Sequence, residues 1–327
     1  MERLRSKKLL IIGGSGFFGK SILDAFQRKL LDPWDIGHVF AMARNPEILQ
    51  SDFSQLLNHN VTLIKNDIAF ATDIPVVDYV IHAAASSDAR NYLTSPLEER
   101  SNIIAGTLNY CYLAKKFHKK TKIVYVSSGA VYGSQPDNID KIPEDFNFLD
   151  ADQLPDSKRD YAYAKRDSEK AINDLGNHDL DVSIARCFAF LGPWLPLDQH
   201  FAIGNFINDG LNFRSIKVNA RHKVYRSYMY ADDLVEWLMT IAEKSSPSSP
   251  IYNVGSDQSI LIDKLAQKIG TIFGQNVLIH EHDSDDIDRY VPNIDKAKNE
   301  LNLKNKHNLD DAIKLTIKLL KHKNIYV

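Results

Sequence analysis

Through roughly the first 190 residues, short apolar runs alternate with longer stretches in which apolar residues return every three or four positions. The runs at 8–12, 38–43, 61–64, 78–82, 122–127 and 181–186 have the length and composition of buried strands. The intervening stretches from 17 to about 31, 96 to about 117 and 159 to about 175 carry the spacing of amphipathic helices. Strands that alternate with crossover helices predict an α/β fold, a Rossmann-type doubly wound parallel sheet.

Beyond Phe188 the pattern loosens, with prolines at 193 and 196 and shorter elements. A helix is expected near 201–211, strands near 215–218 and 224–230, and helices at 232–243 and 260–273. The SSPSSP run at 245–250 reads as a surface turn between a helix and a strand. A final helix over 310–321 alternates apolar and basic positions, as a packed and solvated helix does. The division expected is therefore 1–188 mainly as one domain and 189–327 mainly as a smaller α/β lobe, with some exchange of chain between them.

Composition narrows the partners. With 327 residues and 44% apolar content, the chain can bury a sizeable core. Forty basic and forty-two acidic residues give a net charge of −2, so charge offers no case for nucleic acid or an acidic membrane. The apolar run at 9–12 stops at Gly13, too short for a signal sequence or a membrane span. Only Cys111 and Cys187 are present, both in apolar surroundings, which fits buried thiols in a reducing, cytoplasmic compartment.

GGSGFFG follows the first strand directly and opens a helix, matching both Gly14-x-Gly16-x-x-Gly19 and Gly13-x-x-Gly16-x-x-Gly19. Glycines let the backbone turn tightly against a pyrophosphate whose charge meets the helix N-terminus, so Gly13, Gly16, Phe17, Phe18 and Gly19 are candidate cofactor contacts. A plain tight turn is the alternative. At the end of the second strand an acidic residue would mark NAD, but VFAMARNPE has none there. Ala43 and Arg44 stand in its place, and Arg44 either pairs with a ribose phosphate or is a solvated strand-end arginine. NADP is therefore preferred over NAD. Asp67 and Ile68 in KNDIAF, and Ala83, Ala84 and Ala85 in IHAAASS, lie at the carboxyl ends of the third and fourth strands, where such sheets bind ligands; ordinary loop chemistry is the alternative for each.

Tyr161 and Lys165 in YAYAK are spaced to share one helix face. An ammonium beside a phenol favours the phenolate, lowering a pKa that is ~10 in water and making a proton-transfer group usable near neutrality. The fifth strand ends at Ser127-Ser128, where a serine hydroxyl can hydrogen-bond a substrate oxygen as its charge changes. Glycine loop, strand-end serine and YxxxK follow one another in that order.

These residues resemble the extended short-chain dehydrogenase/reductases that act on nucleotide sugars, the NAD-dependent epimerase/dehydratase family. The resemblance covers nearly the whole chain: besides GGSGFFG, SSGAVYG and YAYAK it takes in Asn102 with Gly106-Thr107, ARCFAFLGP at 185–193, RSYMYADDL at 226–234, YNVGS at 252–256 and DKAKNELNL at 295–303. It implies a dinucleotide-binding first part and a nucleotide-sugar-binding second part. Tyr161 would exchange a proton with the sugar oxygen, Lys165 would hold the nicotinamide ribose and tune Tyr161, and Ser128 would orient the same oxygen. Asn102 would be the structural asparagine of the central helix beside the cofactor, and Phe188 would line the nicotinamide pocket. Arg226 would reach the nucleotide diphosphate, with a salt bridge to Asp232 or Asp233 as its alternative, and Asn205 would lie on the substrate side. Tyr132 marks Ser128 as the working serine.

Departures from the family pattern narrow the reaction. The 4,6-dehydratases of the family carry an Asp-Glu pair directly after the strand-end Ser/Thr, where this chain has Gly129 and Ala130, so no dehydratase activity is expected. Ala189 replaces an asparagine common in epimerases. In IHEHDSDDIDRY, positions 279–290, acidic residues dominate where the family supplies an arginine, and only Arg289 is near. His280, His282, Asp283 and Asp285 read as a solvated acidic loop, and no metal is assigned. The expectation is hydride transfer between nicotinamide and carbon 4 of a nucleotide hexose, by an NDP-4-keto-6-deoxysugar reductase using NADP. A 4-epimerase with retained NAD is the alternative, and a non-catalytic nucleotide-binding regulatory protein the alternative of another class. The helices at 96–117 and 159–175 correspond to those of a four-helix homodimer interface in the family.

Overall fold

The structure, a computed structural model, describes residues 6–85, 94–154, 156–199 and 201–323. Its main sheet contains β1 (Lys7–Ile12), β2 (Ile36–Ala43), β3 (Val61–Lys65), β4 (Tyr79–His82), β5 (Lys122–Ser128) and β6 (Val182–Cys187), with Ile251–Val254 as a seventh strand. The order across the sheet is Ile251–Val254, β6, β5, β4, β1, β2, β3, and the pairs β6/β5, β5/β4, β4/β1, β1/β2 and β2/β3 are parallel. The chain winds outward from β1 in one direction through β2 and β3 and in the other through β4, β5 and β6. A crevice therefore opens between the carboxyl ends of β1 and β4, the switch point at which such sheets receive ligands.

Covering a sheet on both faces demands strands that are apolar throughout. Leu9, Leu10, Ile11 and Ile12 are at most 1% exposed, and every residue of β4 and β6 is buried. Tyr110, Leu113 and Ala114 of the helix Pro96–Phe117, and Ile172 of the helix Asp156–Asp174, pack with Leu10, Val80, Ile123, Tyr125 and Ile184 of the sheet. Both free cysteines are buried, as the apolar surroundings predict.

Several elements differ from the expectation. The first helix runs only Phe17–Gln27, because Lys29 adopts left-handed backbone (φ 62°) and the Leu30 N–H turns back to the Ala25 carbonyl. The strand expected over 224–230 is two strands, Lys223–Arg226 and Met229–Tyr230, which pair with different partners. The helix expected from 260 begins at Ile262, since Ile260–Leu261 pairs antiparallel with Tyr225 and Arg226. The run at 245–250 does join a helix to a strand, but it is not simply a surface turn. Ser245 and Ser249 are buried, the Ser245 hydroxyl donates to the Ile123 carbonyl, and Ser246 bridges Val182. That docking delivers Ile251–Val254 to the free edge of β6.

The chain divides into two compact units, Met1–Val131 with Pro155–Cys187 and Val235–Tyr252, and Tyr132–Leu154 with Phe188–Leu234 and Asn253–Val327. In the second, Lys223–Arg226 lies between Ile260–Leu261 and the parallel strand Ile287–Tyr290. Val277–Ile279 pairs with Ile216–Val218, and Ile313, Ile317 and Leu320 bury one face of the final helix Leu309–Lys323. Among the described residues, no helix is long and apolar enough to cross a membrane.

Candidate active site

β1 ends in a turn built around one unusual glycine. Gly13 has φ +100°, and a Cβ there would stand 2.9 Å from the backbone of Ala83 and Ala84 in the loop after β4. The N–H groups of Gly13 and Gly14 donate to the Met42 carbonyl, and a Cβ on Gly19 would collide with the Gly13 and Gly14 carbonyls. The helix Phe17–Gln27 thus starts at Gly16 with no side chain capping its N–H groups, tight against the strand that precedes it. A tight glycine turn leading into a helix N-terminus is a cradle that fits a pyrophosphate, whose charge the positive helix end favours. Arg44 follows the last residue of β2 and is exposed, and it makes no ion pair among the described residues. The Asp67 carboxylate accepts from the Ala69 N–H, while Ile68 is 6% exposed, with its side chain in the core and its carbonyl accepting from Asn109.

The loop after β4 ties this turn to the other candidates. Ala83 and Ala84 abut Gly13, and Ala85 packs on Ile103 and Ala164, as Tyr161 does. Tyr161 and Lys165 sit one turn apart on Asp156–Asp174. Lys165 is 2% exposed; its Nζ donates to the Val126 carbonyl at 2.9 Å and to the Tyr125 hydroxyl at 3.4 Å, and lies 5.8 Å from the Tyr161 ring centroid. Ser128 ends β5, 8% exposed, with its Oγ accepting from the Ala130 N–H at 3.2 Å. Ser127 faces inward instead, donating to Glu169 Oε1 at 2.5 Å. The two adjacent serines thus have separate partners. Asn102 lies on an exposed position of the helix Pro96–Phe117, and its side chain makes no hydrogen bond among the described residues.

In the second unit, Phe188 is 9% exposed and stacks 4.6 Å from Tyr290, with the Tyr132 ring at 6.3 Å. Tyr132 donates to Asn253, a buried structural bond. Asn205 is half-buried on the helix Ala202–Leu211. Arg226 corrects the expectation: its carboxylate partner is neither Asp232 nor Asp233 but Asp288, held by two bonds of 2.8 and 3.2 Å. Asp283 and Asp285 likewise meet Arg221 and Lys223, at 3.3 and 3.7 Å. The acidic stretch is solvated, as expected, with Asp283 and Asp285 exposed, and these surface pairs tie it to Arg221 and Lys223. His282 lies 3.3 Å from Asp263.

A model of the NAD dependent epimerase/dehydratase family matches residues 9–255. The chain belongs to this family. It is 27% identical over 327 residues to UDP-glucuronic acid decarboxylase 5 of Arabidopsis thaliana, covering 97% of this chain and 92% of that protein. Its fold is similar to that of UDP-glucose 4-epimerase from Thermotoga maritima, solved with UDP-glucose (TM-score 0.79, 21% identity, 97% and 99% of the two chains). It is also similar to dTDP-glucose 4,6-dehydratase from Streptomyces venezuelae, solved with NAD (TM-score 0.79, 18% identity, 96% and 97%).

Three residues of this family member were not singled out from sequence: Tyr125, Glu169 and Arg186. Glu169 and Arg186 form a buried ion pair. A signal was present, since an arginine inside the apolar strand SIARCF requires a buried counter-charge, and Glu169 stands one turn beyond Lys165.

Proposed function

We propose that the chain is a nucleotide-sugar oxidoreductase that moves hydride between a nicotinamide and carbon 4 of the hexose. The observation that carries this reading is the loop Ala83–Ala85, which abuts the glycine turn at one end and at the other packs on Ile103 and Ala164, the residues on which Tyr161 also packs. A dinucleotide with its pyrophosphate on the turn would run along this loop toward Tyr161 and Lys165. Gly13, Gly16, Phe17, Phe18 and Gly19 would hold the pyrophosphate, Asp67 and Ile68 the adenine side, and Ala83, Ala84, Ala85, Asn102 and Phe188 the nicotinamide side. The first unit is then the dinucleotide-binding part and the second the nucleotide-sugar part, with Asn205 and Arg226 among its substrate contacts. The names of the curated relatives favour a UDP-sugar.

A bound nicotinamide supplies or takes up the hydride. The chain's own residues handle the proton. In the reducing direction Tyr161 donates its phenolic proton to the sugar oxygen, Lys165 stabilises the phenolate left behind, and Ser128 hydrogen-bonds the same oxygen while its charge changes. Gly129 and Ala130 bring no carboxyl group beside Ser128, which argues against dehydration. The absence of an acid at the end of β2 and the exposed Arg44 favour NADP, and with it a 4-keto-6-deoxysugar reductase. The family's NAD dependence favours the second reading, a 4-epimerase that retains NAD. Leu97, Leu108 and Tyr112, 69%, 54% and 68% exposed on Pro96–Phe117, favour a homodimer that covers them in a four-helix interface.

The test is Tyr161→Phe, assayed with a panel of UDP- and dTDP-hexoses and their 4-keto forms. Turnover is expected to fall about a hundredfold or more. Full turnover by the variant would leave the binding-only reading in its place. Mass spectrometry of small molecules released from the purified protein separates the two enzymatic readings: retained NAD marks the epimerase.

A further inference from the structure

We infer that Tyr125 is a positioning residue for Lys165: its hydroxyl anchors the ammonium in the place from which it acts on Tyr161. This rests on the reading that Tyr161 and Lys165 are the working pair.

The Lys165 ammonium lies between two tyrosine rings, 4.9 Å from the centroid of Tyr125 and 5.8 Å from that of Tyr161. Two acceptors hold it, the Val126 carbonyl at 2.9 Å and the Tyr125 hydroxyl at 3.4 Å. The carbonyl belongs to the strand and cannot be tuned, so Tyr125 is the side chain that fixes the second direction. The Ser168 and Thr107 hydroxyls lie beside the phenol and favour its ionised form, against the burial that disfavours it. Thr107 and Ser168 are 3.0 Å apart, and Thr107 donates to the Ile103 carbonyl at 2.9 Å. The ammonium donates to the Tyr125 oxygen, the Ser168 and Thr107 hydroxyls lie beside that phenol, and Thr107 donates on to the main chain of Pro96–Phe117.

The other ionisable groups around Lys165 do not compete for its protons. His82, 1% exposed on β4, lies edge-on to Tyr125 at 5.4 Å. Burial, with the Lys165 charge second, holds its pKa down at about 3. Burial raises the Cys187 thiol on β6 well above its ordinary range. Glu169, on the same helix, is bound to Arg186 and Ser127. Burial also pushes Tyr125 up to about 12, so it serves as a neutral phenol.

The prediction concerns Tyr161. Without the Tyr125 hydroxyl the ammonium is less firmly aimed, so a higher pH is needed to form the Tyr161 phenolate. Tyr125→Phe keeps the ring and removes only the hydroxyl. Ultraviolet difference titration of the wild-type chain against Tyr161→Phe reads Tyr161 alone, with no substrate or cofactor. The same difference in the Tyr125→Phe background reads it without the anchor. The midpoint is expected to rise by about half a pH unit or more, roughly a threefold change in the ionisation constant. Ser168→Ala should give a smaller rise on its own and none in the Tyr125→Phe background, because it acts through Tyr125. Coincident midpoints for wild type and Tyr125→Phe overturn the inference, as does an undiminished Ser168→Ala effect in the double variant. Should Tyr125→Phe not fold, an unshifted Ser168→Ala midpoint overturns it equally. Failure of the enzymatic reading appears elsewhere, as full turnover by Tyr161→Phe.

Discussion

Arg186 of β6 and Glu169 of the helix Asp156–Asp174 meet in a two-pronged ion pair, Nη2 to Oε2 at 2.8 Å and Nε to Oε1 at 3.1 Å, with side chains only 5% and 7% exposed. The Ser127 hydroxyl closes the group from β5. Three elements are thereby fastened directly behind Ser128.

Removing one partner leaves a buried charge without its counterpart. Glu169→Leu is expected to lower the unfolding free energy by about 3–5 kcal/mol, and Glu169→Leu with Arg186→Met to recover most of that loss. Urea unfolding of the two variants measures it. Equal losses in the single and double variants would show that packing, not charge, governs the site.

At Gly13, left-handed backbone and the close approach of Ala83 and Ala84 act together. Gly13→Ala should cost about 1–3 kcal/mol in backbone strain. It should also abolish the rise in Tm expected when a nicotinamide dinucleotide is added to the wild type. A variant that keeps the full rise would place the dinucleotide elsewhere.

Arg44 is the chain's candidate for telling two cofactors apart. Arg44→Ala is expected to weaken NADP binding about tenfold, the worth of one charge-assisted hydrogen bond, and to leave NAD binding unchanged. Calorimetric titration with each dinucleotide decides it, and equal losses for both would remove the phosphate role.

His82 makes stability depend on pH. Its folded pKa of about 3 lies below the ordinary imidazole value of 6.5, so between those values the unfolded chain binds a proton that the folded chain refuses. Stability is therefore expected to fall as pH drops through this window, by up to about 1.4 kcal/mol per pH unit. Asp257, held at about 2 by Lys298 and Lys141 against the cost of its burial, adds a further loss only below 3.8. His82→Phe should flatten the dependence between pH 4 and 6 in denaturant unfolding, and an unchanged slope would assign the loss to other groups.

Local pattern and tertiary contact divide what could be read from the chain. Strands buried on both faces announce themselves as apolar runs, and a glycine turn between strand and helix has few other uses, so β1 to β6 and the Gly13 turn were legible. YxxxK and the strand-end serine were legible for the same reason, since each lies within a few residues of its own context. The partner of Arg226 was not. Asp288 is 62 residues away, on a strand that meets the strand of Arg226 only in the fold, and nothing local in the sequence announces that pairing. Tyr125 was hidden differently: within an apolar strand it reads as one more core residue, and its hydroxyl matters only because Lys165 arrives from another element.

The strand Ile251–Val254 has a consequence for how this protein can be made or divided. It completes the main sheet beside β6, yet more than sixty residues separate the two along the chain. During synthesis β6 must wait with a bare row of peptide groups until that late strand emerges. A fragment cut near residue 188 would keep that row exposed for good, open to any neighbouring chain that can add a strand. The part proposed to bind the dinucleotide is thus not a detachable module, and expressing it alone calls for a design that rejoins the late segment to β6.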